Sequence, residues 1–147
     1  DGSQLRVQGE GEPGDRGGHR GDLFCIVNVD RHPLFQRDGD DLMCEVPIGF
    51  AQAALGTQLE VPTLAGPVDL KVPAGTQSGK VFRMRGMGMP SVYGHGKGDM
   101  HVRVQIETPR KLGQREKELL TELAALENQS ISSERKTFID KVKELFD

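Results

Sequence analysis

Apolar and polar residues alternate along residues 100–107, which predicts a strand with one buried face. The apolar positions of this stretch are Met100, Val102, Val104 and Ile106. The same phase recurs 77 positions earlier, at Leu23, Cys25, Val27 and Val29. The earlier stretch differs in one respect, because Phe24 and Ile26 make its second face apolar as well. Two interpretations of that second face stay open: a strand lying deeper in its sheet, or an apolar groove for a partner.

The similarity between the two stretches extends over residues 5–29 and 82–106, which align without a gap. The identical positions include Gly9 and Gly86, Gly11 and Gly88, Pro13 and Pro90, Gly17 and Gly94, Gly21 and Gly98, and Asp22 and Asp99. This match indicates an internal duplication. Some fifty residues precede the second copy as part of its unit, whereas four precede the first. We therefore expect a truncated first unit, and the start without Met favours a chain cut from a larger protein.

The remaining pattern predicts short strands separated by glycine- and proline-rich turns. Strands are expected at 42–46, 58–61 and 68–72, the last two forming a hairpin, with a short helix over 48–55 that ends before Gly56. The expected fold class is mainly β, with tandem small β-sandwich domains, the first truncated, a short helix in the second and helices at the C-terminal end. A βαβ arrangement is not expected.

The C-terminal part has a helical pattern of apolar residues. A helix is predicted over 114–127, and Ser133 is the expected N-cap of a second helix. The apolar positions of the two helices are Leu119, Leu120, Leu123, Leu126, Phe138, Val142, Leu145 and Phe146. Docking on their own domain and packing on a second copy of the chain are both open at this point.

Composition excludes several classes of protein. The 147 residues have a net charge of −3 with both signs interspersed, so no basic surface for nucleic acid is expected. No apolar run is long enough for a membrane span. Cys25 and Cys44 lack metal-ligand or redox spacing and are expected to be buried thiols in a reducing compartment.

The first glycine-rich loop matches the dinucleotide-binding pattern G-x-G-x-x-G at residues 9–14. Pro13 and the following glycines are incompatible with a helix start, and Glu10 and Glu12 would repel phosphate. The loop is therefore interpreted as a turn, and neither an enzyme nor a cofactor is expected.

Several motifs together resemble the C-terminal region of bacterial, zinc-containing DnaJ-type J-domain co-chaperones. These motifs are HPLFQRDGDDL from His32, PIGFAQAALG from Pro47, VPTL from Val61, GTQSG from Gly75 and FRMRGMGMP from Phe82. The resemblance implies the end of a first β client-binding domain at 1–33, a complete second β domain at 34–110 and a helical dimerisation segment at 111–147. The family's J domain and zinc modules are absent from this sequence, so the resemblance implies no zinc here.

The resemblance also implies a function. Family members bind unfolded polypeptide clients and deliver them to a DnaK-type ATP-dependent chaperone in the cytoplasm. Matched by position, the client pocket falls on Leu23, Cys25 and Val27, with Phe24 and Ile26 assigned to the core. In the second domain, the duplicated positions Met100, Val102 and Val104 are expected to bind peptide. The eight apolar helix positions are expected to form a homodimer interface. The alternative is a purely structural dimerisation and spacer segment without client binding.

Overall fold

The computed structural model describes residues 1–94, 96–130 and 132–146 and confirms a mainly β chain followed by helices. The chain divides into two compact units, residues 1–107 and 108–147. The division into 1–33, 34–110 and 111–147 stays a prediction. The elements of the first unit are β1 (Gln4–Val7), β2 (Leu23–Ile26), β3 (Gln36–Asp38), β4 (Asp41–Gly49), α1 (Phe50–Leu55), β5 (Thr57–Val61), β6 (Val68–Val72), β7 (Val81–Met84) and β8 (Met100–Glu107). The second unit contains α2 (Gln114–Gln129) and α3 (Ser133–Phe146).

The first copy of the repeat folds as an antiparallel hairpin of β1 and β2, in which Leu5 lies opposite Cys25. The predicted strand 23–29 is regular only to Ile26. Main-chain pairing nevertheless continues, because Val27 N donates to Ser3 O (2.8 Å) and Gly2 N donates to Val27 O (2.9 Å).

The second copy of the repeat lies in a four-stranded sheet of order β3-β4-β8-β7. Strand β8 pairs antiparallel with β7 and parallel with β4. The hairpin of β5 and β6 forms a second layer, and the core lies between this layer and the sheet. The buried apolar residues are Leu42, Cys44, Ile48, Ala53, Val61, Val72, Met100, Val102 and Val104. This arrangement is β-sandwich-like, as predicted.

Strand β4 is longer than the predicted strand 42–46, and the helix predicted over 48–55 begins only at Phe50. Ile48 is buried in the sheet opposite Ile106, so its burial is better satisfied by a strand than by a helix. Pro47 is tolerated there because β3 pairs only with residues 41–43, which leaves this end of β4 with one paired edge. The helix ends before Gly56, whose φ of 84° favours glycine, as predicted.

Both predicted C-terminal helices form, and α2 lies close to its predicted bounds of 114–127. The expected N-cap of α3 was one residue late. Ser132, rather than Ser133, accepts the Arg135 main-chain N–H on its hydroxyl oxygen (3.3 Å), while Ser133 is the first helical residue.

Candidate functional site

The two glycine loops of the repeat share backbone hydrogen bonds at their ends but differ in the middle, where Gly17 has a φ of 78° and its counterpart Gly94 has no positive φ. Gly11 N donates to Gly21 O in the first loop, and Gly88 N donates to Gly98 O in the second, both at 2.8 Å. The first glycine of each loop has nearly the same φ, 72° at Gly9 and 71° at Gly86. These matches confirm the duplication in three dimensions.

An arginine–aspartate pair closes each loop. Asp22 accepts hydrogen bonds from Arg6 Nε (2.6 Å) and Gly9 N (3.2 Å). In the second copy, Asp99 accepts the equivalent bonds from Arg83 Nε (2.7 Å) and Gly86 N (2.9 Å). Sequence reasoning missed both pairs. The signal was present, since Arg6 and Arg83 are identical at the offset of 77 residues.

The second copy has a further carboxylate that the first copy lacks. Asp41 at the start of β4 accepts Asp99 N (2.7 Å) and lies 3.2 Å from His101 Nε2. The Asp99 N–H first, and His101 second, hold the pKa of Asp41 below its usual value. The Gly86 N–H and Arg83 lower the pKa of Asp99 in the same way. These carboxylates therefore fix the second loop to the central strands.

The two faces of β2 are placed differently from the sequence-based assignment. Leu23 is exposed, while Cys25 and Val27 are half-buried. In the described chain, the side chains of Phe24 and Ile26 are 57% and 69% exposed. Their assignment to the core is therefore wrong. The reason is the register, because they occupy the positions of His101 and Arg103, which point away from the core of the second copy.

The predicted peptide-binding residues of the second copy lie inside the sandwich. Met100, Val102 and Val104 are each 0% exposed, since the hairpin of β5 and β6 covers this face of β8. A side chain with no exposed surface does not contact a ligand in this structure. We therefore correct this part of the assignment and leave these three residues out of the binding surface below.

The helical unit exposes most of its apolar side chains, and no residue of α2 or α3 in the described chain is buried. The exposed predicted interface residues are Leu119, Leu120, Leu126, Phe138, Leu145 and Phe146, and the half-buried ones are Leu123 and Val142. Unlike the apolar face of a helix packed inside a domain, this surface is available to a partner.

Three other candidate sites from the sequence are the first glycine loop, the two cysteines and possible metal ligands. The first glycine loop returns to β2 and does not open an α-helix. Cys44 is buried and burial raises the pKa of its thiol, whereas Cys25 is only half-buried. Within 1–94, 96–130 and 132–146, no three His, Cys, Asp or Glu side chains are placed to hold a metal ion. No helix of these residues has the length and apolar character to cross a membrane.

Comparison with known proteins gives matches along nearly the whole chain. Residues 1–109 match the family model described as DnaJ C terminal domain, and residues 115–147 match the one described as Chaperone protein DnaJ C-terminal region. The chain is 51% identical over 146 residues to the chaperone protein DnaJ of Bacillus licheniformis. It is 53% identical over 147 residues to that of Geobacillus sp. strain WCH70 and 53% over 145 residues to that of Syntrophotalea carbinolica. Each alignment covers 99% of this chain but only 39% of the relative, so the chain spans about two fifths of their length.

Proposed function

The chain belongs to the DnaJ C-terminal domain family, and from this premise we propose that it binds non-native polypeptide and forms homodimers. The single observation that supports client binding best is the exposed apolar surface of the hairpin of β1 and β2. On the face that contains Leu23, the exposed apolar side chains are Leu5, Val7 and Leu23, while Phe24 and Ile26 are exposed on the opposite face. A small β unit with so much apolar surface on one hairpin is suited to apolar segments of another chain.

The proposed binding face is the one that contains Leu23, Cys25 and Val27. Its counterpart in the second copy is the fully apolar core face of β8, so the position has the apolar character that a client side chain requires. Strand β2 also pairs only with β1 among the described strands, whereas β8 pairs on both edges. Its second edge can form main-chain hydrogen bonds with an extended client, independently of the client's sequence.

The energetics favour weak and reversible capture. Burying one or two client side chains at about 25 cal/mol per Å2 contributes only a few kcal/mol, before the cost of ordering the client. Two such sites in one dimer raise the avidity through effective concentration. By the family resemblance, captured clients are then handed to a DnaK-type chaperone in the cytoplasm.

Dimerisation is proposed for the helical unit, because most of its apolar stripe is exposed and no described residue of α2 or α3 is buried. Leu119, Leu120 and Leu123 lie on one side of α2, and Phe138, Val142, Leu145 and Phe146 form the stripe of α3. A second copy of the same helices would cover these stripes and exclude water from them.

Client binding is tested with reduced, unfolded α-lactalbumin by fluorescence anisotropy. The double variant L23S/C25S is expected to bind at least fivefold more weakly than the wild type, while F24S/I26S, on the opposite face of the same strand, binds within twofold. The reverse order would place the client on the Phe24 face. Equal binding by all three proteins would contradict a site on β2.

The same proteins distinguish the purely structural alternative. The double variant L120D/L123D is expected to be monomeric by light scattering, because each carboxylate would be buried in the dimer. A125D, on the opposite side of α2, is the control and should remain dimeric. If no protein binds the unfolded client and only L120D/L123D changes mass, the segment is a dimerisation spacer.

A further inference from the structure

A cleft of about 130 Å3 lies on the second β unit, between the turn that joins β5 to β6 and the second glycine loop. Its lining includes the apolar residues Leu64, Ala65, Met87 and Pro90, together with Lys97. An apolar cavity of ~150 Å3 holds one benzene molecule. The cleft is somewhat smaller, so its size suits one aliphatic side chain.

The duplication provides an internal comparison for this cleft. The two loops share backbone hydrogen bonds at their ends, but charged residues of the first copy correspond to apolar ones in the second. Glu10 corresponds to Met87, Asp15 to Val92 and Arg16 to Tyr93. Met87 packs partly on the core, which explains its apolar character. Packing does not explain the other two, because Val92 and Tyr93 are 78% and 99% exposed.

Val92 and Tyr93 do not line the cleft but follow Pro90 in sequence, which does. An antiparallel bridge between Pro90 and Lys97, both in the lining, closes the short loop that contains Val92 and Tyr93. Across the cleft, Leu64 is also exposed. Its turn is held in place because Thr63 N and Gly66 N donate reciprocally to Gly66 O and Thr63 O, both at 3.1 Å. The hydrogen-bonded turn at Leu64 thus lies on one side of the cleft, and the bridged residues Pro90 and Lys97 lie on the other.

Lys97 gives the cleft a charge preference. The nearby carboxylates are already engaged, since Asp99 pairs with Arg83, Asp41 with His101 and Asp40 with Arg37. Lys97 forms no ion pair with any described residue. Its ammonium group is therefore available to a carboxylate of a ligand.

We propose that this cleft binds an extended polypeptide segment in which a large apolar side chain stands next to a carboxylate. The apolar side chain occupies the space between Leu64 and Met87, and the carboxylate pairs with Lys97. Methionine suits such a site, because its flexible thioether adapts to different side chains. This inference rests on the proposed function, which supplies the kind of ligand, a non-native polypeptide. It places the ligand on a different surface from β2.

The test uses the full 147-residue chain and three fluorescein-labelled octapeptides, each with one leucine flanked by glutamate, glutamine or lysine. Binding is measured by anisotropy, and the site is located by the 13C-methyl signals of methionine. We expect the Met87 methyl to shift while the buried Met100 methyl does not. The glutamate peptide should bind about two- to fivefold more tightly than the glutamine peptide, as for an exposed ion pair.

Two charge variants make the test specific. K97E is expected to reverse the order in favour of the lysine peptide, whereas K71E, on the exposed outer side of β6, changes the net charge equally and should keep the wild-type order. Peptide binding without a shift of the Met87 methyl signal, or equal affinity for the three peptides, would overturn the proposal that the cleft binds peptide. Client binding at β2 would be unaffected. No binding of any peptide would also overturn the proposal for the cleft, while the α-lactalbumin measurement decides client binding at β2 separately.

Discussion

The tight packing of the second glycine loop gives the sharpest prediction, which concerns Gly88. Gly88 has no positive φ, so an alanine there is not excluded by its backbone conformation. A Cβ added at Gly88 would nevertheless lie 2.5 Å from both Asp40 O and Gly98 C, where ordinary contacts begin at 3.4 Å. These are backbone atoms, and Asp40 O also accepts Met89 N (2.7 Å), so the loop cannot move aside without losing hydrogen bonds.

The expected cost of G88A follows from this geometry. Overpacking of one methyl group destabilises by about 1–3 kcal/mol, and contact with backbone atoms places this case at the upper end. The smaller entropy of the unfolded alanine chain offsets about 0.4–1 kcal/mol. We therefore expect G88A to lower the free energy of unfolding of the β unit by about 2 kcal/mol.

A matched control lies in the same loop. Gly94 also has no positive φ, and among the described residues beyond its chain neighbours a Cβ added there meets only the Ser91 hydroxyl oxygen, at 3.9 Å. G94A should therefore be neutral or stabilise by up to about 1 kcal/mol. Urea unfolding followed at the Met100 methyl signal gives both values by linear extrapolation. If the two variants differ by less than about 0.5 kcal/mol, the steric reasoning is refuted.

Two further predictions concern titratable groups. The folded-state pKa of Asp99 lies below its ordinary value of 3.8, so its stabilising effect is complete above pH 3.8 and is lost as the pH falls through the folded-state pKa. D99N should therefore be less stable than the wild type at neutral pH, and the urea midpoints of the two proteins should converge in acid. A difference between the midpoints that stays constant down to low pH would contradict this. Cys25 should react with a disulfide reagent at least tenfold faster than Cys44, because the Cys44 thiol is buried and has a raised pKa. Mass spectrometry of partially labelled protein gives the two reaction rates. Similar rates for the two thiols would show that the core opens readily.

The duplication could be predicted in detail because its contacts are local in sequence. Arg6 and Asp22 are 16 residues apart, as are Arg83 and Asp99, and the glycines between them form the turn that brings each pair together. Identical residues at identical spacing therefore gave identical hydrogen bonds. The alternation of apolar residues likewise predicted the strands and the buried face of β8, whereas the core assignment of Phe24 and Ile26 in β2 was wrong.

Only the tertiary structure decided which apolar face is buried. Leu23 and Met100 are equivalent in the repeat, yet one is exposed and the other has no accessible surface, because β5 and β6 cover only the second copy. The parallel pairing of β4 with β8 also joins residues 58 positions apart, such as Leu42 and Met100, and no local pattern encodes it. Residue patterns thus determined the turns and strands of this protein, whereas burial depended on distant segments that meet only in the folded chain.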